Sequence, residues 1–451
     1  MAIKSYNSMR RYLFLPTAAL LLCVNAFAQK RWTLSECISF AIENNIEIKQ
    51  QELSVENSEI ELNTSRNSRL PNLSAGASQS LNFGRSPSMA TGVYEQNTSA
   101  GTGFSISSSL PVYNGMRISN EIKSNELSLK AAVEGLNRAK ENLSLNVTAF
   151  YLEALFKKEI RKVCTEQCAL TTKQVERTAI MVQEGKAPQS QLFDIKAQLA
   201  KEETNLTNAH NDLSQSLLNL AQLLNVAEPF DFDILEPETR ESVNTAFIES
   251  PDLVYEAALE QKPLIKEATY RLRSSEVGVL LSKSLFLPSV SLGVSYNNGF
   301  NYLFGSDVNN IKLSSQISNN QREAIGINIS VPIFSRFQSR NQLRAAKLNV
   351  ENRTLELNNA KLSLQKEIQQ AYRSAVAAQA RYISTEKALD AALEAFKYAE
   401  ERYLLQMISV YEYNEAQTRL FSNRSEQVQA KYDFLFRTKI LDFYKGVGIE
   451  L

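Results

Sequence analysis

The sequence predicts a mainly α-helical protein with a small membrane β part, built as two copies of one unit. Three observations predict this class: turn residues are scarce, one pattern recurs along the chain, and four short segments alternate in polarity. The 451 residues include 15 glycines and 11 prolines, about half of average usage. Most of the chain is therefore expected to form long helices.

The composition excludes several classes of function. Lysine and arginine total 49, as do aspartate and glutamate, so bulk charge provides no attraction to nucleic acid. The hydrophobic content of 43% is too high for a disordered chain. The single histidine, His210, excludes a multi-histidine metal site, and any histidine-dependent catalytic triad would have to use it. We therefore predict no enzyme activity, metal site, cofactor or nucleic-acid partner.

Residues 1–28 have the pattern of a cleaved signal peptide. A basic start precedes an apolar run from Tyr12 to Val24, and Ala26 and Ala28 provide the small residues of a cleavage site. The mature, exported chain is expected to begin at Gln29. No later segment has the ~18 uninterrupted apolar residues of a spanning helix, so a membrane crossing would have to use β-strands.

The mature chain contains an internal duplication. Leu70-Pro71 aligns with Leu287-Pro288 at a shift of 217 residues, and Pro111 aligns with Pro332 at a shift of 221. The four extra residues fall in a loop of the second copy. The predicted units are a first structural repeat at 29–226, a linker at 227–251 and a second structural repeat at 252–451.

Each copy contains two segments whose polarity alternates with period two, which is typical of strands with two different faces. In the first segment Leu73, Leu81 and Phe83 share one face, while serine and asparagine occupy the other. At about ten residues each, the segments match tilted membrane-crossing strands, although one such pair alone fits a hairpin on a soluble core equally well. The predicted strands are about 72–84, 102–111, 289–300 and 323–333.

The remaining stretches predict long helical hairpins. Residues 333–445 contain neither glycine nor proline and would span about 170 Å as one helix. Apolar residues recur there at spacings of three, four and seven, as in a coiled coil. The first copy has a turn signal at 184–188, and the repeat places its counterpart at 405–409, where the residues themselves give no turn signal. Each first arm then has about 65 residues and is near 100 Å long.

Four membrane strands are too few for a closed barrel, because known outer-membrane barrels begin at eight strands. An open sheet edge is not tolerated in lipid, so several chains must contribute strands. Two chains would give eight strands around an interior that side chains nearly fill, whereas three would give twelve and leave a channel. The long helices would continue that channel, which predicts a conduit.

The chain resembles the TolC-like outer membrane efflux proteins. The element order and the duplication carry this resemblance, together with two residue patterns. These are Leu34, Ile38, Ala41, Asn44, Asn45 and Ile48, and then Glu401-Arg402-Tyr403 with Ser409, Glu412, Ala416, Gln417 and Leu420. The resemblance implies a homotrimer whose twelve-stranded β-barrel lies in outer membrane lipid and continues into an α-helical barrel across the periplasm, with the linker at its equator.

This family resemblance also implies a function. It is that of a passive exit duct in a tripartite efflux pump or type I secretion system, docked to a periplasmic adaptor protein and an inner-membrane transporter. Drugs, metals and secreted polypeptides stay open as cargo. An exported soluble coiled-coil scaffold would leave the four strands unexplained, and a periplasmic adaptor would need glycine-rich β domains beside its hairpin.

The resemblance implies a pore constriction at the periplasmic tip, where family members close like an iris around acidic residues. Counted from the second turn, that ring falls on Glu412 and Glu415, and the first copy has Gln191 and Asp194 at the equivalent positions. Converging carboxylates would repel anions, attract cations and raise one another's pKa. A solvated helix face with ordinary neighbour spacing is the alternative.

The two tip turns are the expected contact for the adaptor. Gln406 departs from the family pattern, which has glycine in this turn, so the geometry of the second tip stays open. The turn residues assigned to adaptor contact are Gly185, Lys186, Pro188, Gln406 and Met407.

The two cysteines on the first predicted long helix are not expected to pair. A Cys164–Cys168 disulfide would be strained, and both cysteines are expected to serve as small hydrophobic residues.

Overall fold

The computed structural model describes residues 31–87, 92–227, 229–236, 248–305 and 310–448. The predicted signal peptide and part of the predicted linker lie outside these ranges. Among the described helices, none combines the length and apolarity needed to cross a bilayer.

The structure repeats one order of elements: two short helices, two strands and a long helical hairpin. The helices are α1 (Leu34–Asn44), α2 (Ile46–Asn67), α3 (Arg117–Gln183), α4 (Gln189–Leu224), α5 (Pro251–Gln261), α6 (Pro263–Ser284), α7 (Leu313–Asn319), α8 (Gln338–Leu404) and α9 (Val410–Tyr444). The strands are β1 (Arg31–Trp32), β2 (Asn72–Pro87), β3 (Tyr94–Asn114), β4 (Asp233–Ile234), β5 (Ser289–Phe304) and β6 (Arg322–Ser330). The duplicated architecture expected from the sequence is confirmed.

The duplication is recorded in the backbone as well as in the residues. Left-handed backbone angles recur at a constant shift of 221 residues, where a strand becomes a helix, where a hairpin turns and where a helix ends. The pairs are Gly115 with Arg336, Met116 with Phe337, Gly185 with Gln406 and Asn225 with Gly446. Glycine occupies one member of three of these pairs, because it alone adopts this conformation without strain.

The four long strands form one antiparallel sheet in the order β2-β3-β5-β6. β2, β3 and β5 have 16, 21 and 16 residues, so the predicted length of about ten residues was wrong for all three. Strand pairing continues to Pro87 and Tyr94, through segments whose polarity no longer alternates. Backbone hydrogen bonds to a neighbouring strand hold these ends, and periodicity does not reveal such bonds.

The helices form a layer beneath the sheet. Near the sheet α3 packs against α2 and α6, and α6 packs against α8. Farther away α3 packs against α4 and α9, and α9 packs against α8. Both α3 and α8 have 67 residues, or about 100 Å, so they run through both parts of the layer. The chain thus has two lateral sides, one formed by α2 and α4 and the other by α8.

A buried core lies midway along the hairpins and includes part of the predicted linker. β4 pairs with β1 in parallel, and Ile234 is fully buried. The Tyr151 hydroxyl donates to the carbonyl of Trp32 at 3.2 Å or to that of Leu235 at 2.7 Å. Phe232 and Ile234 of the predicted linker are therefore buried in this core, while Phe230 between the repeats stays exposed.

Lys262 joins the two repeats at the break between α5 and α6. Its ammonium lies 3.3 Å from Glu141 Oε1 of α3 and 3.4 Å from the ring centroid of Phe443 in α9. Burial lowers the pKa of Lys262 and raises the pKa of Glu141. The carboxylate and the aromatic face together compensate for burying the charge, so this contact ties α3, α6 and α9 together.

Candidate channel surfaces

The sheet has one apolar face and one polar face. One register row joins Leu73, Ser108, Val294 and Ile325, and in it Leu73 and Ile325 are 78% and 77% exposed. The next row, on the other face, joins Ser74 to Ser107 with 2.9 Å between their hydroxyl oxygens. Such a sheet can contact hydrocarbon on one side and water on the other.

A belt of exposed apolar side chains surrounds the junction between strands and helices. Phe334 and Phe337 pack edge-to-face with ring centroids 5.5 Å apart. The belt comprises Leu70, Val112, Met116, Phe286, Leu287, Ile333, Phe334 and Phe337. Aromatic and large apolar residues concentrate at membrane interfaces. The sequence analysis missed this belt, because its members are scattered along the chain and meet only through the fold.

Each lateral side of the chain carries a free strand edge and an exposed apolar stripe. β2 and β6 are the outer strands of the sheet. The α2 stripe and the α8 stripe each have a spacing of seven residues, and their members are 57–66% exposed. The α2 stripe is Ile46, Leu53 and Ile60, and the α8 stripe is Leu348, Leu355 and Leu362. Both helices bury their opposite faces within the chain, through residues such as Leu62 and Leu357.

The two hairpins turn at residues 184–188 and 405–409, the intervals that the sequence predicts. Gly185 has φ 72° and Gln406 has φ 58°, so the glutamine adopts the left-handed conformation of its glycine counterpart. Lys186 lies 2.6 Å from Glu184, and Met407 is largely exposed. Each turn therefore presents a different surface on the same backbone.

The predicted acidic residues lie in the first turns of α9. The Glu412 carboxylate accepts hydrogen bonds from the Ser409 backbone N–H at 2.8 Å and from the Ser409 hydroxyl at 3.0 Å. The Glu412 N–H donates back to the Ser409 hydroxyl, which completes a capping box. The bonds from Ser409 hold the pKa of Glu412 below its ordinary value. Glu415 lies 2.9 Å from Arg419.

Gln191 and Asp194 occupy the matching turns of α4. Gln191 is partly exposed and Asp194 is exposed, while the Gln191 N–H donates to the Pro188 carbonyl at 3.1 Å. Because α3 packs against both α4 and α9, this pair lies across α3 from Glu412 and Glu415. The structure therefore places the four residues near the tip but does not gather them into one cluster within a chain.

The two hairpins meet near the tip through polar side chains. Gln417 of α9 donates to the Thr171 hydroxyl of α3 at 3.1 Å. In the part of the chain that is described, Gln167 Nε2 and Asn414 Oδ1 are buried without a hydrogen-bond partner. An unpaired buried polar group costs about 1–3 kcal/mol. An ion pair between Arg424 of α9 and Glu166 of α3, at 2.7 Å, adds to this polar seam, which lacks the apolar packing of the core at mid-length.

The cysteines of the described ranges form no disulfide. Cys164 is buried and Cys168 is partly buried, and both are free thiols. Burial raises the pKa of both thiols, which disfavours the reactive thiolate. Across the described ranges no three histidine, cysteine, aspartate or glutamate side chains are placed to hold a metal ion.

A duplicated chain with two hairpins of about 100 Å and a sheet with opposite faces defines a class of membrane channel components with a long helical extension. The chain belongs to the outer membrane efflux protein family, whose sequence model matches residues 37–226 and 254–442. The two matched ranges correspond to the two repeats. Members of this family are outer membrane channels.

Solved structures share the fold across nearly the whole chain. CusC matches with a TM-score of 0.76 at 16% identity, covering 92% of both chains. VceC from Vibrio cholerae matches with a TM-score of 0.74 at 18% identity, covering 92% of this chain and 96% of VceC. The Campylobacter jejuni outer membrane channel CmeC gives 0.73 at 18% identity, covering 92% and 86%. A search of curated proteins found no match.

Proposed function

We propose that the protein is the exit duct of a tripartite efflux pump or type I secretion system. It passively conducts substrates from a periplasmic transporter complex to the exterior. Family membership supports an outer membrane efflux channel. In this proposal the chain is exported through a cleaved signal peptide, inserts its sheet in the outer membrane and extends its hairpins into the periplasm.

The observation that carries the proposal is the incompleteness of both lateral sides of one chain. β2 and the α2 stripe lie on one side, and β6 and the α8 stripe lie on the other. A strand edge in lipid must be paired, and an exposed apolar stripe with heptad spacing favours a partner helix. A second copy supplies both, because its β2 side complements the β6 side of the first.

The two stripes fit as an antiparallel seam. α2 runs toward the sheet and α8 runs away from it. With Leu53 of one copy opposite Leu355 of the next, Ile60 meets Leu348 and Ile46 meets Leu362, because all six residues keep the same spacing of seven. This contact joins different surfaces of successive copies, so it forms a ring when the rotation between copies closes, as a closed barrel in lipid requires. Three copies give twelve strands and a channel, whereas two would give a filled barrel.

The tip is the proposed site of closure and of adaptor contact. Glu412 and Glu415 of successive copies would surround the axis and favour cations. The exposed turn residues, including Lys186 and Met407, would contact the adaptor. Because the polar seam between α3 and α9 lacks apolar packing, the two hairpins can separate near the tip while the mid-length core holds, which would open the duct.

The test is the native mass of protein extracted from outer membranes in mild detergent. Leu355→Glu places a charge in the seam and should abolish the trimer. Thr354→Glu adds the same charge one residue away on α8, outside the stripe, and should leave the trimer intact. A wild-type protein that behaves as a water-soluble monomer would overturn the duct and favour the exported scaffold.

A further inference from the structure

Among the described residues, the upper part of β5 has no strand partner on its outer side. β6 begins at Arg322, which pairs with Asn297 of β5, while β5 continues to Phe304. Residues 298–304 therefore have a free edge on that side, and unpaired edges attract other strands. The segment 310–320, which contains α7, lies along this edge.

Three side-chain amides of this segment take the place of a strand. Asn310 accepts from the Leu303 N–H and donates to the Leu303 carbonyl, both at 2.8 Å. Gln316 makes the same pair of bonds to Asn301, at 2.8 and 2.9 Å. Asn320 donates to the Gly299 carbonyl at 2.7 Å. We name Asn310, Gln316 and Asn320 the amide ladder. It closes the upper edge of β5 to any incoming strand.

The side of α7 turned away from the amide ladder carries two serines. At 100° per residue, Ser314 and Ser318 lie roughly opposite Gln316 and Asn320, and both serines are exposed. Serine hydroxyls donate and accept hydrogen bonds, so this serine face suits the unpaired N–H and C=O groups of a strand edge. No element in the described part of the chain covers the serine face.

The lengths of the two outer strands leave a gap when copies join. β2 has 16 residues and β6 has nine, so with their lower ends level about seven residues of β2, or ~23 Å, would extend past the end of the neighbouring β6. The amide ladder occupies the outer edge of β5 beside that gap, so this edge cannot pair with β2 of the neighbouring copy. The segment 310–320 directly precedes β6 and lies beside the gap.

We propose that α7 is an intersubunit wedge whose serine face seats against the upper part of β2 in the next copy. The occupant is a second copy of this chain, because the wedge continues the edge on which the β6–β2 contact would form. This inference rests on the closed oligomer proposed above. The wedge would complete the rim of the barrel where strand pairing stops.

Disulfide trapping tests the wedge. Ser318→Cys is nearly isosteric, and it is combined with Asn82→Cys or Phe83→Cys on the two faces of upper β2. Within one chain β3 separates β2 from β5 by two strand spacings, about 10 Å, and α7 lies beyond β5. Since a disulfide requires Cα atoms within ~7 Å, a link between these positions must join two copies.

Oxidised outer membranes should give dimers and trimers on non-reducing gels that revert with reductant. The matched control combines Ser318→Cys with Ser74→Cys at the lower end of β2. It should link roughly tenfold less, because its Cα distance exceeds the disulfide range. A bimane label on Ser318→Cys should resist quenching by brominated phospholipid, and strong quenching would instead make lipid the occupant and overturn the wedge.

A seam pair, Leu53→Cys with Leu355→Cys, tests the closed oligomer independently of the wedge. If the seam pair links copies and both rim pairs fail, the wedge is overturned while the oligomer stands. If neither the seam pair nor the rim pairs link, both proposals fail. Linking of the seam pair and of either rim pair supports both.

Discussion

At residue scale, the turn of the second hairpin contains Gln406, a residue type that disfavours the backbone conformation found there. Gln406 has φ 58° where the first copy has Gly185 at φ 72°. A left-handed conformation costs a non-glycine residue roughly 1 kcal/mol. The neighbouring helix ends hold this angle, since the Met407 N–H bonds the Arg402 carbonyl at 2.8 Å.

Gln406→Gly should therefore stabilise the second tip by about 0.5–1 kcal/mol, because glycine removes the left-handed strain. Gly185→Ala, which introduces the same strain into the first turn, should destabilise the first tip by a similar amount. Hydrogen exchange of the amides around each turn is the measurement, because local opening at a tip escapes global melting. Equal exchange in Gln406→Gly and wild type would contradict the strain.

Glu412 combines two roles that substitution can separate. Glu412→Gln keeps a capping box, in which glutamine also serves, but removes the charge. It should weaken the cation preference of single channels in a planar bilayer while leaving the hydrogen exchange of α9 unchanged. Glu412→Ala should lose both the cation preference and the protection of α9 that the cap provides. If Glu412→Gln conducts with wild-type selectivity, Glu412 is only a capping residue.

The same carboxylate predicts a pH dependence. The bonds from Ser409 lower the pKa of Glu412 below 4.5, so its folded state favours the charged form. The stabilisation from the cap is complete above that ordinary value and is lost as the pH falls through the lower folded pKa. Cation preference should therefore persist at mildly acidic pH. A loss of selectivity above pH 4.5 would instead indicate mutual repulsion within the proposed ring.

Residue roles were the least predictable part of the molecule. The spacing of Ser409 and Glu412 is a visible capping signature, yet the roles predicted for Glu412 were a pore position or a solvated helix face, and not a cap. Tyr151 is a tyrosine in a helical pattern, and only the fold brings the carbonyls of Trp32 and Leu235 to its hydroxyl. Contacts between distant segments have no local signal.

At element scale, the repeat was more informative than local propensity. The second tip lacks turn residues, but the shift from the first copy locates it between Leu404 and Val410. α7 has no counterpart among the described residues of the first repeat, so neither repeat nor periodicity predicted it. Its amide ladder depends on three polar residues that any loop could contain.

Gln316→Glu tests the amide ladder with nearly unchanged shape. A carboxylate accepts from the Asn301 N–H but cannot donate to the Asn301 carbonyl, and it repels that oxygen. Loss of this bond should cost about 1–3 kcal/mol locally and speed hydrogen exchange at Asn301. Asn319→Asp, next to the ladder in α7, should leave that exchange unchanged. A protected Asn301 amide in Gln316→Glu would show that the ladder does not hold the segment.

At the scale of the whole molecule, the alternation of polarity predicted the sheet well, because most apolar residues of neighbouring strands fall in the same register rows. Leu292 pairs with Ile327 on the apolar face, and the next residue, Asn328, points to the polar face. What the pattern could not give is strand length or the two lateral stripes. A spacing of seven looks the same whether the partner helix belongs to the same chain or to another copy.

Ile327→Lys should impair insertion, because lysine on the lipid face near the bilayer midplane costs about 2–4 kcal/mol. Asn328→Lys places the same charge on the polar face and should insert normally while altering ion selectivity. The yield of trimer in outer membranes and its heat-modifiable mobility on gels measure both. Equal yields for the two variants would show that the apolar face does not meet lipid.

The equal lengths of α3 and α8 set the distance between the sheet and the two hairpin turns. Each helix has 67 residues, so both turns lie at about the same distance from the sheet, and the proposed adaptor would meet them in one plane. An insertion in one helix alone would tilt that plane and break the register with its returning arm. A change of length that keeps the two turns level must therefore be made in all four helical arms at once, and in whole heptads if the coiled-coil spacing is to be kept.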